Sequence, residues 1–134
     1  MRKRISIQIG DKTFTAIMLE DKAPATCKAI WNELPIKTLA HHAKMAGSEL
    51  MCQLRKIYTD VAENSLKVYE TKAGDVCWFP SRQLLLIYYA QCSPEPVDVN
   101  VFAEITENLE ELRVVGREIW RNPGVPIELK KMER

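Results

Sequence analysis

The chain has 134 residues, with 19 Lys and Arg against 18 Asp and Glu, for a net charge of +1. That balance argues against the clustered positive surface that a nucleic-acid backbone requires, and against an acidic disordered tail. Hydrophobic residues at 46% and charged residues at 28% suit one globular domain over 1–134 with a single sizeable core.

The opening Met1-Arg-Lys-Arg4 is basic, but Ser6 and Gln8 interrupt the isoleucines that follow, so no signal peptide is expected. The longest apolar run, Leu84 to Ala90, is far shorter than the ~20 residues of a membrane span. Cys27, Cys52, Cys77 and Cys92 form no C-x-x-C pair and have no histidine at metal-finger spacing. They read as reduced, buried thiols of a cytoplasmic protein, with no metal or cofactor expected.

Ile5, Ile7 and Ile9 alternate with polar residues, which predicts a strand; Gly10-Asp11 turns it into a returning strand over Thr13 to Leu19. From Asp21 to Leu34 the period changes. Ala23, Cys27, Ile30, Trp31 and Leu34 share a helical stripe, Pro24 suits the first turn, and Pro35 ends the helix. Trp31 is expected to anchor the core. Thr38 to Met45 alternates weakly, and Leu50 to Tyr58 reads as a strand. Thr59 to Leu66 is loop-like, and Lys67 to Thr71 suits a short strand. Val76 to Phe79 is β-rich between turns at Gly74-Asp75 and Pro80-Ser81.

Leu84 to Tyr89 is apolar throughout, as in a strand buried on both faces. Ser93 to Pro96 must be a loop. Val97, Val99, Val101, Ala103 and Ile105 then alternate as the clearest strand. Thr106 is placed to cap a second helix carrying Leu109, Leu112 and Val115, which ends at Gly116 or runs on through Ile119 and Trp120. Asn122-Pro-Gly124 turns into a last strand at Ile127 to Leu129. About eight short strands and two separated helices predict a mainly β protein, a small barrel with helices over its ends.

The stretch Asn100-Val-Phe-Ala-Glu-Ile-Thr-Glu-Asn-Leu-Glu-Glu-Leu112 resembles the strand–turn–helix of cyclophilins. With Gly74 to Pro80, the run at Leu84 to Tyr89 and Ala23-Pro24 opening the first helix, the order of elements resembles a group of small bacterial and archaeal cyclophilin-like proteins of unknown function. The resemblance implies a closed, mostly antiparallel eight-stranded barrel with two capping helices. Cyclophilin isomerases carry an arginine in a phenylalanine-histidine-arginine context. Nothing between His41 and Gln53 reproduces it, and Lys44 and Arg55 lie outside such a context. Glu95 to Asn100 also lacks the tryptophan and histidine that precede the cyclophilin strand. Prolyl isomerase activity is therefore the weaker alternative.

His41 and His42 are adjacent, so on a strand they point to opposite faces. His41, sharing a face with Leu39 and Met45, reads as a core histidine, and His42 as solvated or as a pocket acid/base. Gly47-Ser48-Glu49 reads as a turn, and His42 with Glu49 is the best acid/base pair on offer. Asn64, in the polar pair with Glu63, has the donor and acceptor to orient an amide or carboxylate, or is a turn residue. By resemblance Phe102 lines a groove, with Asn100 beside it and Tyr88 or Tyr89 on the neighbouring wall. Trp120 and Arg121 cover a barrel mouth or simply pack. A barrel-side groove for a small polar metabolite or a short peptide segment is the leading expectation. A homo-oligomeric interaction module, motivated by the apolar run at Leu84 to Tyr89, is the other.

Overall fold

The computed structural model describes residues 2–132; Met1, where the basic opening segment begins, lies outside them. Strands β1 (Arg4–Ile9) and β2 (Lys12–Met18) form the expected hairpin. Its register sets Ile5 against Ala16 and Ile7 against Phe14, all buried. Helix α1 (Pro24–Glu33) stops where Leu34 turns extended, at ψ 142°, before Pro35. Cys27 and Ile30 bury as the stripe predicts. Trp31 does not: it is half-buried, flanked by the ammonium groups of Lys3 at 4.8 Å and Lys131 at 5.0 Å from its ring centroid.

Ala23 has no side-chain oxygen to cap α1. The carboxylate of Glu63 supplies the cap from a distant loop, accepting from the backbone N–H groups of Ala25 at 3.3 Å and Thr26 at 2.8 Å.

Strands β3 (Ile36–His42) and β4 (Gly47–Gln53) follow, joined by a turn at 44–46. The turn thus lies one step before Gly47-Ser48-Glu49, and these three residues open β4 instead. The strand expected to reach Tyr58 ends at Gln53, because Leu54 and Ile57 fold inward from a loop. Where Lys67 to Thr71 was expected to form a strand, the chain makes β5 (Ser65–Lys67) and a 3-10 turn. Strands β6 (Asp75–Phe79), β7 (Leu84–Cys92) and β8 (Asp98–Ile105) come next. Helix α2 (Leu109–Arg121) runs through Gly116, and β9 (Val125–Lys131) closes the chain. Thr106 does not cap α2: the N-cap position is Asn108, in a left-handed conformation at φ 60°.

The strands pair antiparallel in the ring β2-β1-β9-β3-β4-β7-β6-β8, which closes by β2 pairing with β8. Eight strands make the barrel, as expected; β5 is a ninth, outside the ring, paired to the start of β8. Both helices send their apolar residues into the barrel core, Cys27 and Ile30 from α1 and Leu112, Val115 and Ile119 from α2.

Phe14, Trp78, Ile87 and Phe102 fill the interior, leaving an eight-stranded barrel packed rather than hollow. A second apolar layer lies on the outside of β7 and β8, where Leu84, Leu86, Tyr88, Val99 and Val101 are covered by Leu19 and Val68. The run at Leu84 to Tyr89 is therefore buried on both faces within one chain and needs no partner copy to cover it.

A bulge explains how β8 serves both layers. Val76 faces Ala103 and Cys77 faces Val101, so Phe102 is the extra residue and turns into the core. Val99 and Val101 stay outside while Ala103 and Ile105 go inside, which breaks the single-face alternation expected of this strand. No helix among the described residues is long and apolar enough to cross a membrane.

Candidate functional site

Because the barrel is filled, a ligand must use its outer surface. One concavity, of about 510 Å³, lies on the outer face of β4, β7 and β8. Met51, Leu86, Val97 and Val99 give it apolar walls, and exposed Lys44 and Arg82 stand on its lining with Glu95. The volume falls in the range of small-molecule pockets.

Glu49 is buried in this trough, 5% exposed, and its Oε1 has no hydrogen-bond partner. Its position follows from register. Glu49 faces Tyr88 across β4 and β7, and Leu50, one residue on, points into the barrel. Burial pushes the Glu49 carboxyl from its ordinary 4.5 up to about 7; the Tyr88 hydroxyl holds it partly down, and the charge of Glu95 adds to the rise. The Tyr88 hydroxyl is also buried without a partner in good geometry, and burial and the neighbouring carboxylate drive its pKa up. A carboxyl poised near neutrality in an apolar trough can accept a proton or hold a cation.

His42 lies on the other face of the sheet. It pairs with Leu50 in register, and its Nε2 is 2.7 Å from the Tyr89 hydroxyl inside the barrel end. Its ring also meets Trp120 edge-on, with centroids 4.8 Å apart. Burial, then the charge of Lys44, lowers its pKa, and at 7% exposure it is a buried histidine rather than a solvated one. His41 is the exposed partner, on the side of Leu39, which is 47% exposed; Met45 lies beyond β3 in the turn and is 89% exposed. The alternation holds along β3 but its phase is reversed: small Ala40 and His42 face inward, and Leu39 with His41 faces water. His42 and Glu49 both border the concavity of about 510 Å³, from strand positions of opposite phase; His42 Nε2 is engaged by the Tyr89 hydroxyl, and no hydrogen bond joins the histidine to Glu49.

The remaining candidates are occupied by structural bonds. Asn64 sits in a left-handed conformation at φ 47° and donates from Nδ2 to the Val101 carbonyl at 2.8 Å. The buried Asn100 side chain donates to the Val61 carbonyl at 2.9 Å and accepts from Ser65 Oγ at 2.8 Å. Both fasten the 60s loop to β8. Phe102 is fully buried core, not a groove wall. Tyr89 is held under α2, where Gly116 leaves room for its ring: a Cβ there would lie 2.4 Å from Tyr89 Cδ2.

Sequence reasoning did not find the trough walls, because Met51, Leu86, Val97 and Val99 look like ordinary strand residues. The two-layer burial of β7 was the signal that an outer apolar face exists. Another concavity of about 490 Å³, beside His41 and the Leu54 to Ile57 segment, contains no buried polar atom lacking a partner. Among the described residues no group of three or more His, Cys, Asp and Glu is placed to hold a metal ion. All four cysteines are free; burial raises Cys27 and Cys52 to about 12 and Cys92 to about 11, so these thiols stay protonated.

A family model described as a protein of unknown function, DUF3830, matches residues 5–131. A search of curated proteins finds no match. Among solved structures, McbB in complex with tryptophan superposes with a TM-score of 0.85 at 19% identity, over 97% of this chain and 45% of McbB. The chain thus spans less than half the length of that protein. The hypothetical protein AF2241 from Archaeoglobus fulgidus superposes with a TM-score of 0.72 at 22% identity, over 98% of this chain and 95% of that one. At these identities the likeness establishes the barrel fold alone.

Proposed function

We propose that this chain, which belongs to the DUF3830 family of proteins of unknown function, binds a small organic amine in the trough at Glu49. The observation that carries this reading is the buried Glu49 Oε1 without a partner in a cavity of about 510 Å³. A buried polar atom left unsatisfied costs about 1–3 kcal/mol, and a ligand donor recovers it. An ammonium group supplies both the donor and the opposite charge. Met51, Leu86, Val97 and Val99 suit an apolar body, and Lys44 and Arg82 suit a carboxylate at the other end.

An amino acid with a large apolar side chain combines all three features. McbB, which shares the fold, has been solved with tryptophan. A carboxylate alone is disfavoured, since Glu49 and Glu95 would repel it. If chemistry follows binding, Glu49 is the group positioned to take or return a proton, acting without His42.

The test is a thermal-shift and calorimetric titration with tryptophan, phenylalanine and their decarboxylated amines. A ligand at about 100 times its Kd adds about 2.7 kcal/mol to stability, which is easily seen as a rise in Tm. Binding should tighten as pH rises through about 7, where Glu49 ionises, and should vanish in Glu49→Gln. Silence across the panel at millimolar concentration, or undiminished binding by Glu49→Gln, refutes the reading.

A further inference from the structure

Helix α2 carries Arg113, Arg117 and Arg121 at intervals of four, so all three lie along one face. Beneath them is a separate concavity of about 380 Å³, completed by Ser48, Tyr89 and Trp120. The chain as a whole has 19 basic against 18 acidic side chains, so three guanidinium groups around one hollow are a local segregation of charge. Arg113 has a carboxylate nearby, that of exposed Glu110 at 3.8 Å. Arg117 and Arg121 have none within ion-pair distance among the described residues. Trp120 is 42% exposed, a large aromatic left at the surface, with the Lys44 ammonium 5.3 Å from its ring centroid.

The hollow has a fixed base. Tyr89 is wedged under Gly116 and bonded to His42, and β7 is distorted at this point. Gly47 faces Cys92 and Glu49 faces Tyr88, so Tyr89 to Gln91 lie opposite Ser48 alone. The irregularity brings the Ser48 and Tyr89 side chains to one wall facing the helix.

We propose that this hollow is a binding site for a small phosphorylated aromatic molecule, its phosphoryl group held by Arg117, Arg121 and Arg113 and its ring against Trp120. Guanidinium groups bind phosphate oxygens in pairs, and several forks around one dianion favour phosphate over a single carboxylate. The hollow shares no lining residue with the Glu49 trough; Lys44, on the trough's lining, reaches the Trp120 ring with its ammonium group.

The experiment is isothermal titration of the full chain with inorganic phosphate and with phenyl phosphate at constant ionic strength. Expected are saturable binding of both and a gain for phenyl phosphate of about 3- to 10-fold from contact with Trp120. Arg117→Gln and Arg121→Gln, at exposed positions, should each weaken both ligands about 10-fold or more. Trp120→Ala should erase the phenyl gain while leaving inorganic phosphate within about two-fold. Lys28→Gln, on α1, should change neither. No saturation by about 10 mM, or equal binding by the arginine variants and Lys28→Gln, overturns the site. Equal affinity for the two ligands overturns the role of Trp120.

Discussion

Replacing Glu49 with Gln keeps the shape of the side chain and removes its ability to ionise. In the folded chain the carboxyl titrates near 7; unfolded, it returns to its ordinary 4.5. Between those values the folded state holds the proton and the unfolded state releases it, so stability falls as pH rises and the loss is complete above about 7. At about 1.4 kcal/mol per factor of ten in proton affinity, the gap is worth roughly 3 kcal/mol. Wild type and Glu49→Gln should therefore be within about 1 kcal/mol of each other at pH 4, and the variant should be the more stable by roughly 3 kcal/mol at pH 8. His42 acts in the opposite sense, since its depressed pKa removes stability as pH falls below 6.5. It is present in both proteins and cancels in the difference. Urea unfolding at each pH reads the effect directly: with a slope of about 1.5 kcal/mol per molar, the midpoints should separate by about 2 M at pH 8. A difference that stays constant from pH 4 to pH 8 would falsify the reasoning, because Glu49 would then ionise in water like any surface carboxylate.

Gly116→Ala sets a methyl group 2.4 Å from the Tyr89 ring, which is held by His42 on its other side. A loss of about 1–3 kcal/mol is expected despite the better helix propensity of alanine, with displaced His42 resonances; an unchanged or higher Tm would mean that Tyr89 is not wedged as described. Glu63→Ala removes the only side-chain cap found at the start of α1 among the described residues. About 1 kcal/mol of stability should go with it, and the Ala25 and Thr26 amides should exchange faster with solvent; protection equal to wild type would show that the cap contributes nothing.

Local pattern carried much of the fold. Alternation at Ile5, Ile7 and Ile9, the stripe ending at Pro35 and the unbroken run at Leu84 to Tyr89 each determined an element, because side-chain period and proline geometry are properties of the chain itself. The mainly β barrel with two helices was legible from these and from their order. Pattern alone did not set which face is inside. His41 with Leu39 looks more apolar than His42 with Ala40, yet the second pair faces inward, since α2 and Tyr89 leave room there for a histidine bonded to a hydroxyl.

The candidate site depended still more on tertiary structure. Glu49 could be named from the sequence, but its burial depends on β7 lying beside β4 and on the outer apolar layer with Val68. Its proposed partner His42 is separated from it by the pleat, a consequence of the turn falling at 44–46 and not at Gly47. Asn64 and Asn100 looked like ligand groups because amides serve loops and ligands alike, and only the paired carbonyls show which use they have. Residue types and periods belong to the sequence; the phase of a strand, a bulge such as that at Phe102, and the raised pKa of one carboxyl belong to the packed molecule. They arise from the exclusion of water by residues distant in the chain.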